Sequence, residues 1–150
     1  MWYIMSYKTS VAIHAPAERI WSELIYVERW PLSTTSITTV ERLDHGPFQL
    51  GSSARIKQPK VPPLVWTVTD FQPPREFTWS TSSPGVTTIA SHVLTPGPGD
   101  SVTVTLSITR RGPLAPLVDL LYAGLTGDYL HREAAGLKRV CEAAPVASAA

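Results

Sequence analysis

The chain has no asparagine, one cysteine and only two methionines among its 150 residues. A lone cysteine, Cys141, excludes an internal disulfide and any thiolate metal cluster. Without asparagine, the turns fall to proline, glycine, aspartate and serine. Charge is sparse and balanced: charged residues make up 17% and the formal net charge is +1. That excludes the basic footprint that nucleic acid requires. No apolar run approaches the ~20 residues needed to span a bilayer, so no integral membrane association is expected. The apolar opening Met1-Trp2-Tyr3-Ile4-Met5 has neither a basic flank nor a cleavage site and does not read as a leader. The expected location is the cytoplasm. The four histidines, His14, His45, His92 and His131, show no metal-site spacing, and no other ligand type gathers near them. No metal and no cofactor is expected.

Proline, in contrast, is plentiful, with 14 in the chain. Pro62-Pro63, Pro73-Pro74, Ser83-Pro84-Gly85 and Pro96-Gly97-Pro98-Gly99 each end one extended run and begin another. Between them the sequence predicts strands at 37–43, 53–58, 64–72, 76–82, 87–95 and 101–109, after a first strand at 7–13. In the last of these Val102, Val104, Leu106 and Ile108 alternate with Thr103, Thr105 and Ser107, giving one buried and one wet face. Phe77 and Trp79 share a face in the same way. The run 64–72 is ambiguous, because Val65 and Phe71 stand opposite Trp66 and Val68.

Two segments carry helical spacing. In 16–27, Pro16 suits a first-turn position, Glu18 suits the positive end of the dipole, and Ile20, Trp21, Leu24 and Val27 form one stripe. Trp30-Pro31 is expected to stop that helix. In 114–142, Val118, Leu121, Leu125, Tyr129, Leu137 and Val140 are expected to face the sheet. Gly124 and Gly127 sit mid-helix, where each costs ~1 kcal/mol relative to alanine, and are expected to bend the helix or leave space beside it. This order predicts an α+β fold in which a curved antiparallel sheet wraps a long C-terminal helix. One domain spans 6–142, and 143–150 reads as a flexible tail. A curved sheet and a straight helix cannot touch along their whole length, so a cavity between them is expected.

Several short motifs add to this. Val11-Ala12-Ile13-His14-Ala15-Pro16-Ala17-Glu18 with Trp21, Gly51-Ser52, Lys57-Gln58-Pro59, Phe77-Thr78-Trp79, Leu94-Thr95-Pro96 and Asp100-Ser101-Val102-Thr103 follow one another in order from about 7 to 142. Together they resemble the START-like (SRPBCC) superfamily, in its polyketide cyclase/dehydrase and lipid-transport branch. The resemblance implies a helix-grip fold, with a curved seven-stranded antiparallel sheet around the C-terminal helix and an apolar pocket for a lipid, sterol or polyketide. It implies no shared catalytic triad, so the chemistry has to be argued from side chains.

Two candidates stand out for catalysis. His92 shares the inward face with Ala90 and Leu94, where it could orient a ligand or move a proton; the plainer alternative is a satisfied structural hydrogen bond. Glu133 lies four residues from Tyr129 and from Leu137, which puts a carboxylate on the apolar stripe. A buried carboxylate needs a partner, and Lys57, Arg55 and His92 are the available ones; a structural ion pair is the plainer reading. Lys57, Trp66, Trp79, His92, Tyr122, Leu125 and Tyr129 are the expected ligand-binding residues. Cys141, near the helix end, has no environment that would make it a nucleophile.

Three functions fit. The first is binding of a small hydrophobic ligand, the second a polyketide cyclase, aromatase or dehydratase using His92 as acid or base, and the third an interaction module with a filled core. A monomer or a homodimer suits each of them.

Overall fold

The structure is a computed structural model and describes residues 4–143; the tail expected at 143–150 lies, past Ala143, outside the described residues. Strand β1 (Ile4–Ile13) leads into α1 (Ala17–Ile25), a single 3-10 turn and the short helix α2 (Trp30–Ser33). Six strands follow: β2 (Thr39–Arg42), β3 (Ser53–Gln58), β4 (Val61–Gln72), β5 (Glu76–Ser83), β6 (Val86–Pro96) and β7 (Val102–Arg111). Helix α3 (Ala115–Glu142) is the last element among the described residues.

The strands form one seven-stranded sheet in the order β1-β7-β6-β5-β4-β3-β2, and every neighbouring pair is antiparallel. β2 to β7 form a meander, and β1 adds to its far edge through Val11↔Val104 and Tyr7↔Ile108. This is the α+β helix-grip arrangement. The alternation in β7 is as expected, with Val104 and Leu106 buried and Thr103, Thr105 and Ser107 on the outer face. There Ser10 and Thr105 join their hydroxyls across the strands at 2.9 Å, a cross-strand pair of the kind that steadies a wet face.

The ambiguity of β4 has a simple cause. A bulge between Val68 and Asp70 inserts one residue into its pairing with β5. Side chains alternate with a period of two, so a single extra residue exchanges the faces. Trp66 and Val68 point inward before the bulge, and Phe71 points inward after it, against Trp21 at 5.7 Å. Val65 is left exposed.

Trp30-Pro31 does not stop a helix as expected. α1 has already ended at Ile25, and Pro31 sits in the first turn of α2, where its missing N–H costs nothing. α2 abuts α3 at Gly136, where a Cβ would stand 2.0 Å from the carbonyl oxygen of Ser33. Only glycine allows that approach. Arg19 of α1 caps the end of α3, donating from Nε to the Cys141 carbonyl at 2.9 Å and from Nη2 to that of Val140 at 3.0 Å.

α3 itself differs from its expected pattern. Its C-terminal half is core: Leu130, Ala134, Leu137 and Cys141 are buried among the sheet's inward side chains. Its N-terminal half buries Asp119 and Thr126 instead, while Leu120 and Leu121 are 81% and 66% exposed. Leu121 therefore does not face the sheet. Gly124 and Gly127 do not open space on the inner side either, because a Cβ at either one would meet nothing within 4 Å on the exposed face. At ~100° per residue, Gly124 is about 200° around the helix from the inward-facing Tyr122. The helix runs unbroken through both glycines.

Candidate functional site

Between α3, from Val118 to Glu133, and the concave face of β3–β7 lies a cavity of about 230 Å³. The sheet contributes Trp66, Trp79, Ala90, His92 and Leu106, and the helix contributes Tyr122, Leu125, Tyr129 and Glu133. Trp30 of α2 closes one end, its ring 5.3 Å from that of Trp79. Trp66 stands 6.0 Å from Trp79, so these indoles form one continuous wall. A smaller side pocket of about 50 Å³ runs outward between α1, α2 and α3 and shares Trp30, His92 and Glu133 with the main cavity.

Most of the expected site residues therefore come together: Trp66, Trp79, His92, Tyr122, Leu125, Tyr129 and Glu133 all line the cavity. Lys57 does not. Its ammonium donates to the carbonyls of Gln58 and Val61, each at 2.6 Å, and braces the turn between β3 and β4. The neighbouring Pro59 carbonyl accepts a hydrogen bond from the Tyr129 hydroxyl, which ties the middle of α3 to that turn. Arg55 pairs with Glu41 at 2.6 Å on exposed surface. Neither cation reaches Glu133, because both occupy the face of β3 opposite the buried Ile56.

His92 is almost wholly enclosed. Its ring stacks on Phe77 with centroids 4.1 Å apart and planes 9° from parallel. Nδ1 lies 3.2 Å from the Phe77 carbonyl oxygen. A carbonyl only accepts, so Nδ1 carries the proton and the neutral ring keeps its lone pair on Nε2. Burial lowers its pKa from 6.5 to about 4, so His92 is neutral near pH 7 and acts there as an acceptor.

Glu133 shows the opposite shift. Burial raises its pKa from 4.5 to about 7, and the 3.3 Å hydrogen bond from the Ser36 hydroxyl offsets this only slightly. Instead of the expected ion pair, its protein partner is a serine on the chain between α2 and β2. Burial also pushes the Cys141 thiol up to about 11, which leaves it unreactive.

A polar group at the other end of the cavity escaped the sequence reading. Arg110, the last inward residue of β7, lines the cavity. It donates from Nη1 to Asp119 at 3.3 Å and from Nη2 to the Thr126 hydroxyl at 2.6 Å. The Tyr7 hydroxyl donates to the second oxygen of Asp119. The signals were present: Arg110 extends the alternation of Leu106 and Ile108, and Asp119, Thr126 and Glu133 recur every seven residues on α3. Trp30 has no signal in the sequence beyond its place at the expected helix stop; α2, which carries it to the cavity, is only four residues long.

The matched sequence family decides what this arrangement is. Residues 5–142 match the family described as polyketide cyclase / dehydrase and lipid transport. The chain belongs to that family. Solved structures with the same fold include a hypothetical protein from Helicobacter pylori (TM-score 0.77, 9% identity, 93% of this chain and 88% of that one). Truncated norcoclaurine synthase from Thalictrum flavum superposes with a TM-score of 0.75 at 12% identity, over 96% of this chain and 97% of that one. A START superfamily protein from Mycobacterium smegmatis does so with a TM-score of 0.68 at 18% identity, over 90% and 97%. At such identities the likeness shows the fold alone. None of the curated proteins matches the sequence. Among the described residues no helix is long and apolar enough to cross a membrane, and no cluster of three metal-ligating side chains occurs.

In this family member His92 and Glu133, both shifted by burial, predict a pH signature. His92 binds its proton less readily folded than unfolded, so its contribution to stability is present above pH 6.5 and is lost as pH falls towards 4. Glu133 holds its proton more tightly folded than unfolded, so its contribution is present below pH 4.5 and is lost as pH rises towards 7. Each amounts to roughly 3 kcal/mol, less whatever water reaches Glu133 through the cavity mouth. Between about pH 4.5 and 6.5 the two slopes oppose each other. Urea titrations across pH 4–8 should show stability rising with pH in Glu133→Gln and falling with pH in His92→Gln. Parallel profiles for the two variants would mean that at least one of the groups is hydrated.

Proposed function

We propose that this chain binds a small hydrophobic molecule between α3 and the sheet. The observation that supports this reading is the cavity wall of Trp30, Trp66, Trp79, Leu106, Tyr122 and Leu125, in which rings and aliphatic groups outnumber polar ones. Concave, mostly apolar surfaces with a few placed polar groups are the usual form of a ligand site. In this reading apolar burial supplies most of the affinity, while His92 Nε2 accepts a hydrogen bond and Glu133 sets the ligand's orientation. A reaction such as ring closure or dehydration is the second reading. One observation favours it: a cavity carboxyl with a pKa of about 7 can both take and give a proton near neutral pH.

Titration of tryptophan fluorescence with fatty acids, sterols and aromatic polyketides tests both readings, with Trp79, 2% exposed in the cavity wall, as the reporter. A binder should keep its affinity within about tenfold in His92→Ala, ~1.4 kcal/mol. An enzyme that relies on His92 for proton transfer should keep binding but lose ~10²–10⁴-fold in rate. If no compound shifts either the fluorescence or the melting temperature, binding fails and an interaction module becomes the leading reading.

A further inference from the structure

The charges around the cavity do not balance within the protein. Arg110 is neutralised by Asp119 at 3.3 Å, and its guanidinium is held at Thr126, seven residues and so about 10 Å along α3 from Glu133. Glu133, among the described residues, makes no ion pair. The titratable groups that face it are His92 from β6, and Glu23 and Arg29 at the side pocket. His92 has its Nδ1 proton on Phe77. Arg29 is exposed and lies over the Tyr26 ring at 5.5 Å. On α3 itself, Arg132 pairs with Asp128 at 2.9 Å and Tyr129 bonds the Pro59 carbonyl. Glu133 is thus, among the described residues, the one carboxylate that lines the main cavity, and it has no protein cation; Glu23, also without an ion pair, lines only the side pocket, and Trp30 lines the junction of the two.

We infer that the ligand carries a positive charge: a primary or secondary ammonium on a compact apolar ring body, with the ammonium at Glu133 and the rings against Trp30, Trp66 and Trp79. This rests on the binding reading above and specifies the chemical class of its ligand. A carboxylate in a poorly hydrated site gains most from a cation that also donates hydrogen bonds. Indole faces add attraction for the same cation, and this is strongest where water is excluded. A ligand carboxylate would meet the reverse situation, an unpaired like charge at Glu133 and an arginine already committed to Asp119. The raised pKa of Glu133 adds a consequence: an ammonium stabilises the ionised form, so ligand uptake below pH 7 must expel a proton.

Calorimetry with three matched probes tests this: 1-naphthylmethylamine, 1-naphthylmethanol and 1-naphthoate. At pH 8 the amine should bind at least tenfold more tightly than the alcohol, and the naphthoate least. In Glu133→Gln the amine should fall to the level of the alcohol while the alcohol keeps its affinity. At pH 6, titrations in buffers of different ionisation enthalpy should show close to one proton released per amine bound, and at pH 8 close to none. The proton count is read on the unaltered protein, so it stands even if the variant folds poorly. Equal affinity for amine and alcohol, or preference for the naphthoate, would overturn the inference and leave the hydrophobic-ligand reading intact. If none of the three binds, while a fatty acid or sterol does, the ammonium alone is refuted; if nothing binds at all, both readings fall.

Discussion

Trp21→Ala should destabilise the protein by about 3–5 kcal/mol, the cost of removing an indole from a packed interior. Trp21 is 7% exposed and fills the space between α1 and the far end of the sheet, against Phe71 at 5.7 Å and Phe77 at 6.3 Å. Phe48 adds the next ring, 5.1 Å from Phe77. Removing one member leaves a void that its rigid neighbours cannot close, so the cavity penalty adds to the lost transfer energy. For a domain of this size, that corresponds to a melting point lower by roughly 10–15 °C. Calorimetric melting of the variant measures it directly. Trp21 lies outside the ligand cavity, so the surviving folded fraction should bind ligand as the unaltered protein does. A melting point within a degree or two of the original would show that α1 packs in a different register.

Asp119→Ala should cost about 3–5 kcal/mol, for an electrostatic reason: it strands a buried guanidinium. Arg110 and Asp119 are 9% and 6% exposed, and among the described residues the only other group that the arginine donates to is the Thr126 hydroxyl. Burial already depresses the pKa of Arg110, and Asp119 is the main opposing influence. The variant also takes away the acceptor of Tyr7, so the N-terminal half of α3 loses its tie to β1 and keeps only the Thr126 bond to Arg110 on β7. The double variant Arg110→Met with Asp119→Leu should recover most of the loss, because apolar residues of similar size replace a buried pair at little net cost. Urea unfolding of the unaltered protein and the two variants measures both the loss and the recovery. A loss below about 1 kcal/mol for Asp119→Ala alone would mean that Arg110 reaches water and that the pair behaves as a surface one. Since that end of α3 is one wall of the cavity, weaker ligand binding should accompany the instability.

What could be read in the sequence divides along the same physical line. Val102 to Ile108 announced a strand with one dry face, and Ile20, Trp21 and Leu24 a helix with one dry stripe, because both patterns follow from backbone geometry within a few residues. The inward placement of Trp79 and His92 followed from that geometry as well, while alternation left the face of Trp66 open. Errors arose where a local rule met a distant partner. Phe71 changed face because β4 bulges against β5. Leu121 and the two glycines were misplaced because the inward stripe of α3 is partly polar, and hydrophobic spacing alone cannot find a stripe that includes Asp119, Thr126 and Glu133. Lys57 left the expected site for the carbonyls of its own turn.

The sequence alone therefore determined the order of elements, the alternation that gives the sheet its dry face, and a family resemblance strong enough to predict a cavity. Only the tertiary structure decided the charges in that cavity. Arg110 and Asp119 become partners because β7 and α3 pack face to face, and Glu133 meets Ser36 because the chain after α2 crosses its side of the helix. Strand and helix periods are properties of neighbouring residues. The ionisation of a buried group depends on everything that excludes water from it, and those residues are brought together only when the whole chain has folded.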